Sequence, residues 1–184
     1  MRHPFVATRE ESLLLVIDFQ TAMLNVMEEW QEKARRVNQL TRAADLLGVP
    51  VVVTEHYRKG LGETIPEVAD VMGDPTVLQK EHFSACLEPE FLPAIRSFGR
   101  RQIVVAGMET HVCVLQTGLD LIQAGYQVQL AADAVASRSD SDRDAGVGLF
   151  RQAGAVITST ETVIFQWAFR ANTQEFRKIL PIVK

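Results

Sequence analysis

Short runs of valine, isoleucine and leucine recur along the chain, and four of them come after an amphipathic segment that ends in glycine. These four runs follow Gly48, Gly99, Gly125 and Gly154, in the stretches LLGVPVVVTE, SFGRRQIVVAG, QAGYQVQLAAD and QAGAVITST. Each glycine stands where a helix would need a left-handed closing residue. The runs are short and uniformly apolar, which predicts strands that are buried on both faces.

Two further runs complete the strand pattern. Residues 13–17 (LLLVI) precede all the others, and residues 76–79 (TVLQ) form another short candidate strand. Between the runs, residues 30–47 carry their apolar side chains on one helical face. Alternating strands and helices with short connections favour right-handed βαβ units. We therefore expect an α/β fold of three layers, a doubly wound and mainly parallel sheet of about six strands with helices on both faces, formed by residues 1–184 as a single domain.

The C-terminal region contains an unusually apolar helical segment, TVIFQWAF, preceded by TSTE at residues 158–161, which fits a capping box. The segment has large apolar side chains on more than one side, including Trp167 and Phe169. Two explanations are open at this point. The face either packs against the sheet or forms a contact with another subunit.

Composition and charge narrow the class of protein. Hydrophobic residues make up 47% and charged residues 23% of the chain, as in ordinary soluble proteins. The net charge of -4 argues against nucleic acid as a partner, since such proteins need a basic face. No apolar run has transmembrane length, and MRHPFVATRE lacks the apolar stretch of a signal peptide. With only two cysteines, Cys86 and Cys113, a cytoplasmic protein with reduced thiols and no membrane partner is expected.

Three residues with reactive side chains fall at the expected carboxyl ends of strands, where open parallel sheets place their sites. Asp18 follows the first run directly, Lys80 follows TVLQ, and Cys113 comes just after IVVAG. If Thr110 caps the next helix, Cys113 lies in its first turn, where the helix dipole and a nearby lysine would lower the pKa of the thiol. From position alone Cys113 is either this reactive thiol or a small buried residue, and Asp18 is either a proton acceptor or a turn residue.

Other chemistries have weaker support. His56, His82 and His111 lie in strand-end loops, but their spacing matches no metal-site pattern. No glycine-rich phosphate loop follows the first strand, where DFQTAM stands instead, so a nucleotide-binding protein of flavodoxin type is disfavoured. We expect neither a metal nor a cofactor.

Three blocks of the chain, LLLVIDFQ, QKEHFSA and VVAGMETHVCVLQTGLDLIQAGYQV with a downstream ADAVASRS, resemble the isochorismatase-like cysteine hydrolases, a family that includes nicotinamidases and N-carbamoylsarcosine amidases. The resemblance implies a catalytic triad of Asp18, Lys80 and Cys113. It also implies a cis peptide bond between Met108 and Glu109, and an oxyanion hole formed by the backbone N–H groups of Glu109 and Cys113. Phe19, His56 and Phe83 are candidates for lining a substrate pocket.

The sequence also departs from parts of the family. The Asp-Trp-His pattern that nicotinamidases use for a metal is missing at residues 54–57, which read TEHY, so neither a metal nor nicotinamide carries over. Enzymes that act on isochorismate cleave a vinyl ether without a cysteine nucleophile, which makes Cys113 mild evidence against that reaction. The function expected is hydrolysis of a small amide, carbamoyl or related acyl compound through a Cys113 acyl-enzyme, by a homo-oligomer. The alternative is a non-catalytic oligomeric scaffold on the same fold.

Overall fold

The computed structural model describes residues 2–184 and contains a six-stranded sheet with helices on both faces. The strands are β1 (Ser12–Ile17), β2 (Val51–His56), β3 (Thr76–Lys80), β4 (Gln102–Met108), β5 (Gln127–Ala136) and β6 (Val156–Thr158). Their order across the sheet is β3-β2-β1-β4-β5-β6, and all five neighbouring pairs are parallel. The predicted doubly wound α/β fold is confirmed, and the sheet is parallel throughout rather than mainly so.

Eight α-helices are described: α1 (Trp30–Leu47), α2 (Arg58–Leu61), α3 (Pro66–Ala69), α4 (Phe91–Ser97), α5 (Leu115–Gln123), α6 (Asp140–Gln152), α7 (Thr160–Ala168) and α8 (Gln174–Val183). Side chains of α1, α7 and α8 cover one face of the sheet, and those of α4, α5 and α6 cover the other. In β1, Leu14 and Val16 point to the first face while Leu15 and Ile17 point to the second. Every residue of β1 is buried, because the strand is central and covered on both sides.

The helix ends follow the sequence signals closely. All four glycines predicted to close helices have a positive φ. The start of α7 differs by one residue from the predicted capping box. Ser159 is the N-cap, and its side chain accepts a hydrogen bond from the backbone N–H of Thr162, because Thr158 is still part of β6.

The packing of α7 also decides between the two explanations of its apolar face. Trp167 is fully buried in the core and its Nε1 donates a hydrogen bond to Ser12 Oγ at 2.9 Å. Phe169, beyond the end of the helix, keeps 69% of its surface exposed. Packing against the sheet therefore accounts for Trp167, while Phe169 remains on the surface.

The close approach of β1 and β4 shapes the part of the sheet where chemistry was expected. Gly107 has φ of 125°, and a Cβ atom there would overlap the backbone of Ile17, so only glycine fits this position. The strand order reverses its direction between β1 and β4. In open parallel sheets the crevice at the carboxyl ends of such a strand pair is the usual ligand site.

Candidate active site

Asp18 directly follows β1 at this crevice, with φ of 50° and its side chain buried. The left-handed backbone is one that aspartate tolerates better than most residues. Its Oδ1 accepts a hydrogen bond from Thr54 Oγ1 at 2.6 Å. Its Oδ2 accepts no hydrogen bond of good geometry from any described residue. One carboxylate oxygen is therefore anchored by Thr54.

Lys80 ends β3 and places a buried ammonium group against this carboxylate. Its Nζ lies 2.7 Å from Oδ2 of Asp18, and both side chains are at least nine-tenths buried. The same Nζ donates hydrogen bonds to the backbone oxygens of His82 and Phe83, each at 3.2 Å. Lys80 thus holds both the carboxylate and the loop that follows β3.

Cys113 reaches the same pair from β4. It lies in a π-helical turn, Thr110–Val114, that leads into α5, and Glu109 rather than Thr110 is the N-cap. Its thiol lines one cavity together with Asp18, and both the Asp18 carboxylate and the Lys80 ammonium group affect the pKa of the thiol. Three residues far apart in sequence are therefore brought together at the ends of β1, β3 and β4.

The environment of Cys113 shifts the pKa of its thiol in the direction opposite to the predicted one. Burial, and then the negative charge of Asp18, raise the pKa of the Cys113 thiol to about 12, and the opposing effect of Lys80 is smaller. The prediction of a lowered pKa is wrong, because removing the sulfur from water outweighs the helix start and the lysine. At neutral pH Cys113 is a thiol, and it needs a base to become a nucleophile.

We accordingly expect slow alkylation of Cys113 by iodoacetamide in the free protein. With a pKa near 12 instead of 9.0, the thiolate fraction at pH 7 falls about a thousandfold. The alkylation rate, followed by mass spectrometry of the Cys113 peptide, should rise about tenfold per pH unit from pH 7 to 9. The unfolded protein is the matched control, since its thiols react as ordinary cysteines. A rate that levels off below pH 8 would contradict the buried thiol.

A partly open cavity of about 230 Å³ lies beside Cys113. Its polar lining consists of Asp18, His56, Glu109 and Cys113. Its apolar lining consists of Met23, Leu61, Phe83, Met108 and Val112. The predicted positions of His56 and Phe83 beside the pocket therefore match the structure, and their ring centroids are 5.4 Å apart.

Phe19 does not line this cavity, so its predicted role in binding substrate is wrong. It is fully buried and packs in the hydrophobic cluster under α1 and α7. The side chain of Phe19 points to the face of the sheet that α1 and α7 cover, and its ring contributes to the core there.

Several residues around the cavity were not singled out from the sequence. Thr54, Met23, Leu61 and Val112 belong to this group. Thr54 could have been found from its register, because it pairs with Ile17 and so stands beside Asp18. The apolar residues come from separate segments, and no local pattern connects them.

Glu109 is the second acidic residue of the cavity lining. Its Oε1 accepts a hydrogen bond from Arg138 Nε at 2.9 Å, and the arginine side chain is 60% exposed. The peptide bond between Met108 and Glu109 is cis. Each acidic group at the cavity is therefore paired with one basic group, Asp18 with Lys80 and Glu109 with Arg138.

Cys86 lies outside the cavity, which answers a question that the sequence leaves open. It is partly buried beside α5, and its Sγ donates a weak hydrogen bond to the backbone oxygen of Thr117 at 3.7 Å. Burial and the charge of Asp120 raise the pKa of Cys86 to about 12 as well. The two thiols therefore differ in position rather than in acidity. Among residues 2–184, no group of three or more His, Cys, Asp and Glu side chains is placed to hold a metal ion.

The family model described as the Isochorismatase domain matches residues 12–162 of the chain, a span that includes Asp18, Lys80 and Cys113. The chain belongs to the isochorismatase family. This confirms the resemblance seen in the sequence motifs. None of the described helices of this isochorismatase-family protein has the length and apolar character needed to cross a membrane.

Similar proteins agree with this family and fold. A protein of Phytophthora sojae named secreted isochorismatase effector Isc1 is 38% identical and covers 94% of this chain and 84% of its own length. The MAR1 ribonuclease of Caenorhabditis elegans has a TM-score of 0.91 at 31% identity, covering 97% of this chain and 92% of its own. The YcaC gene product of Escherichia coli, described as an octameric hydrolase of unknown specificity, has a TM-score of 0.88 at 21% identity, covering 100% and 89%. At that identity YcaC shows the shared fold alone.

Proposed function

We propose that this isochorismatase-family protein is a cysteine hydrolase of a small amide, carbamoyl or related acyl compound. The observation that carries the proposal is the buried contact of 2.7 Å between Lys80 Nζ and Asp18 Oδ2, with Cys113 lining the same cavity as Asp18. Burying an ion pair is costly and is poorly explained by stability alone. A base beside a protonated nucleophile is the arrangement that covalent catalysis needs.

The first half of the reaction forms an acyl-enzyme. Asp18 Oδ2 takes the proton of the Cys113 thiol while the sulfur attacks the carbonyl carbon of the substrate. The backbone N–H groups of Glu109 and Cys113 stabilise the oxyanion, and both residues line the cavity. The carbon–nitrogen bond then breaks, and Asp18 gives its proton to the departing amine or ammonia. Lys80 keeps Asp18 in position and balances its charge through these steps.

The second half releases the product. A water molecule enters, Asp18 removes one of its protons, and the hydroxide attacks the thioester carbon. The carbon–sulfur bond breaks to give a carboxylic acid, and the Cys113 sulfur recovers its proton from Asp18. A raised thiol pKa suits this cycle, because the Cys113 thiol loses its proton only as the sulfur attacks a bound substrate.

We propose a small-molecule substrate and not RNA, although the C. elegans relative is named a ribonuclease. The cavity has a volume of about 230 Å³ and is lined by two acidic residues, Asp18 and Glu109, and by no lysine or arginine among residues 2–184, so it lacks the basic groups that bind phosphates. A homo-oligomer in the cytoplasm is part of the same proposal. The two free cysteines support the location.

A screen of small amides, carbamoyl compounds and esters tests the hydrolase. We expect release of ammonia, amine or alcohol from at least one class, and intact-protein mass spectrometry should show an acyl group on Cys113 early in the reaction. Hydrolysis without any adduct at Cys113, or no hydrolysis in any class, would favour the scaffold alternative.

Arg138 gives a prediction for the oxyanion site. Arg138→Ala leaves the Glu109 carboxylate without its counter-charge beside the proposed oxyanion, so kcat should fall roughly tenfold. Adding Glu109→Gln to that variant removes the negative charge and should restore most of the lost kcat. Steady-state kinetics of the two variants and of Glu109→Gln alone measure this effect. Equal kcat in Arg138→Ala and the unmodified protein would exclude it.

A further inference from the structure

The charges around the cavity indicate which ligands it can accept. Neither a lysine nor an arginine lines it among residues 2–184. The basic groups that contact the two acidic lining residues are already paired, Lys80 with Asp18 at 2.7 Å and Arg138 with Glu109 at 2.9 Å. A carboxylate on a ligand next to the sulfur would therefore find no unpaired cation among the described residues of the cavity lining. Burying such an ion without a partner is strongly unfavourable.

The remaining wall is apolar and contains one neutral polar group. Five apolar side chains surround the space next to the sulfur, and His56 stands among them. Nδ1 of His56 is buried without a hydrogen-bond partner among the described residues. Burial, and then the positive charge of Lys80, lower the pKa of His56, so the imidazole is neutral at pH 7. The wall can therefore form a hydrogen bond with a neutral polar group of a ligand, but it cannot neutralise a charged group.

The cavity is small and partly open. Its volume of about 230 Å³ is below the range of about 300–1,000 Å³ that is usual for sites of drug-sized ligands. Only a small group of a ligand therefore fits next to the sulfur, and the rest of the ligand can extend through the opening.

We propose that the substrate is a small uncharged amide that carries no carboxylate and bears either a short aliphatic group or a second neutral dipole. The inference rests on the proposed function, and it names the chemical class that the same site selects. It distinguishes this protein from an enzyme whose substrate is held through an anionic group.

Three amides of the same shape test the charge directly. They are 4-methylpentanamide, succinamide and succinamate, which place an isopropyl group, a neutral amide and a carboxylate at the same distance from the reacting amide. We expect kcat/KM for ammonia release to be at least about a hundredfold lower for succinamate than for either neutral compound. Succinamide separates the effect of charge from that of polarity. Hydrolysis of succinamate that depends on Cys113 and is as fast as that of succinamide would overturn the inference while leaving the hydrolase intact.

A variant that adds a positive charge to the cavity wall tests the inference in the opposite direction. Leu61 is half-buried in α2, so a longer side chain can be accommodated there. Leu61→Arg introduces the missing cation and should raise the succinamate-to-succinamide ratio of kcat/KM by about tenfold or more. Leu61→Gln is the matched control, because it is polar and uncharged, and it should leave that ratio within about twofold. An unchanged ratio in a folded Leu61→Arg protein counts against the inference.

Binding to the Cys113→Ala variant separates the two proposals. Met23 and Met108 line the cavity, so methyl-labelled methionine gives NMR signals there. The two neutral amides should shift these signals, and succinamate at the same concentration should not. If none of the three is hydrolysed but this binding pattern holds, the hydrolase fails and the ligand class stands. If neither neutral amide shifts the signals, or if succinamate shifts them equally, the ligand class is wrong.

Discussion

Replacing Cys113 with alanine is expected to lower kcat by about 10⁴-fold or more on any substrate that the screen identifies. The thiol is the only side-chain nucleophile in the proposed cycle, and water attacking the amide directly would lack the acyl-enzyme step. The fold should survive, because the change removes one sulfur atom from a site that is already next to a cavity. Single-turnover kinetics and circular dichroism measure the two effects together.

Cys86→Ala is the matched control for this experiment. Cys86 is the other thiol of the chain, and its pKa is also raised to about 12 by burial. It lies outside the cavity, so its loss should leave kcat within about threefold of the unmodified protein. If Cys113→Ala keeps more than a tenth of the activity, the nucleophile has been assigned to the wrong residue.

Replacing Lys80 with methionine should both inactivate and destabilise the protein. The change leaves the Asp18 carboxylate buried beside an apolar side chain, and breaking a buried ion pair in this way costs about 3–5 kcal/mol. Two hydrogen bonds to the backbone oxygens of His82 and Phe83 are lost at the same time. Urea denaturation should show the lower free energy of unfolding, and the protein should stay folded at 25 °C if its stability is of ordinary size, about 5–15 kcal/mol.

The double variant Lys80→Met with Asp18→Asn separates the ion pair from simple packing. It removes the unpaired charge, so most of the lost stability should return, while activity stays absent. Lys178→Met removes an exposed lysine of α8 and should change the free energy of unfolding by no more than about 0.5 kcal/mol. Equal stability of Lys80→Met and the unmodified protein would mean that the contact between Lys80 and Asp18 is not a buried ion pair in solution.

The positions of the helix ends and buried strands could be predicted from the sequence because their signals are local. A glycine that ends an amphipathic segment and a short apolar run after it are read within about ten residues. The same patterns placed Asp18, Lys80 and Cys113 at strand ends. The topology of parallel sheets then required these ends to lie along one edge.

The residues that line the cavity could not be predicted in the same way. Phe19 follows Asp18 directly, yet its ring is fully buried in the core under α1 and α7, whereas Met23 and Leu61 line the cavity from separate segments. Short loops and turns decide these directions, and no periodic pattern covers them. The N-cap at Glu109 and the π-helical turn around Cys113 were missed for the same reason.

The family, the order of strands and helices along the chain, and the three side chains of the proposed chemistry follow from sequence patterns. The three-dimensional fold sets the rest: the Cys113 thiol is protonated at neutral pH, Asp18 Oδ2 contacts Lys80 Nζ, and the basic groups beside the acidic lining residues are already paired. The physical reason is that strand and helix patterns depend on neighbours in the chain. The pKa of a buried group depends instead on how much water and which charges the whole fold leaves around it.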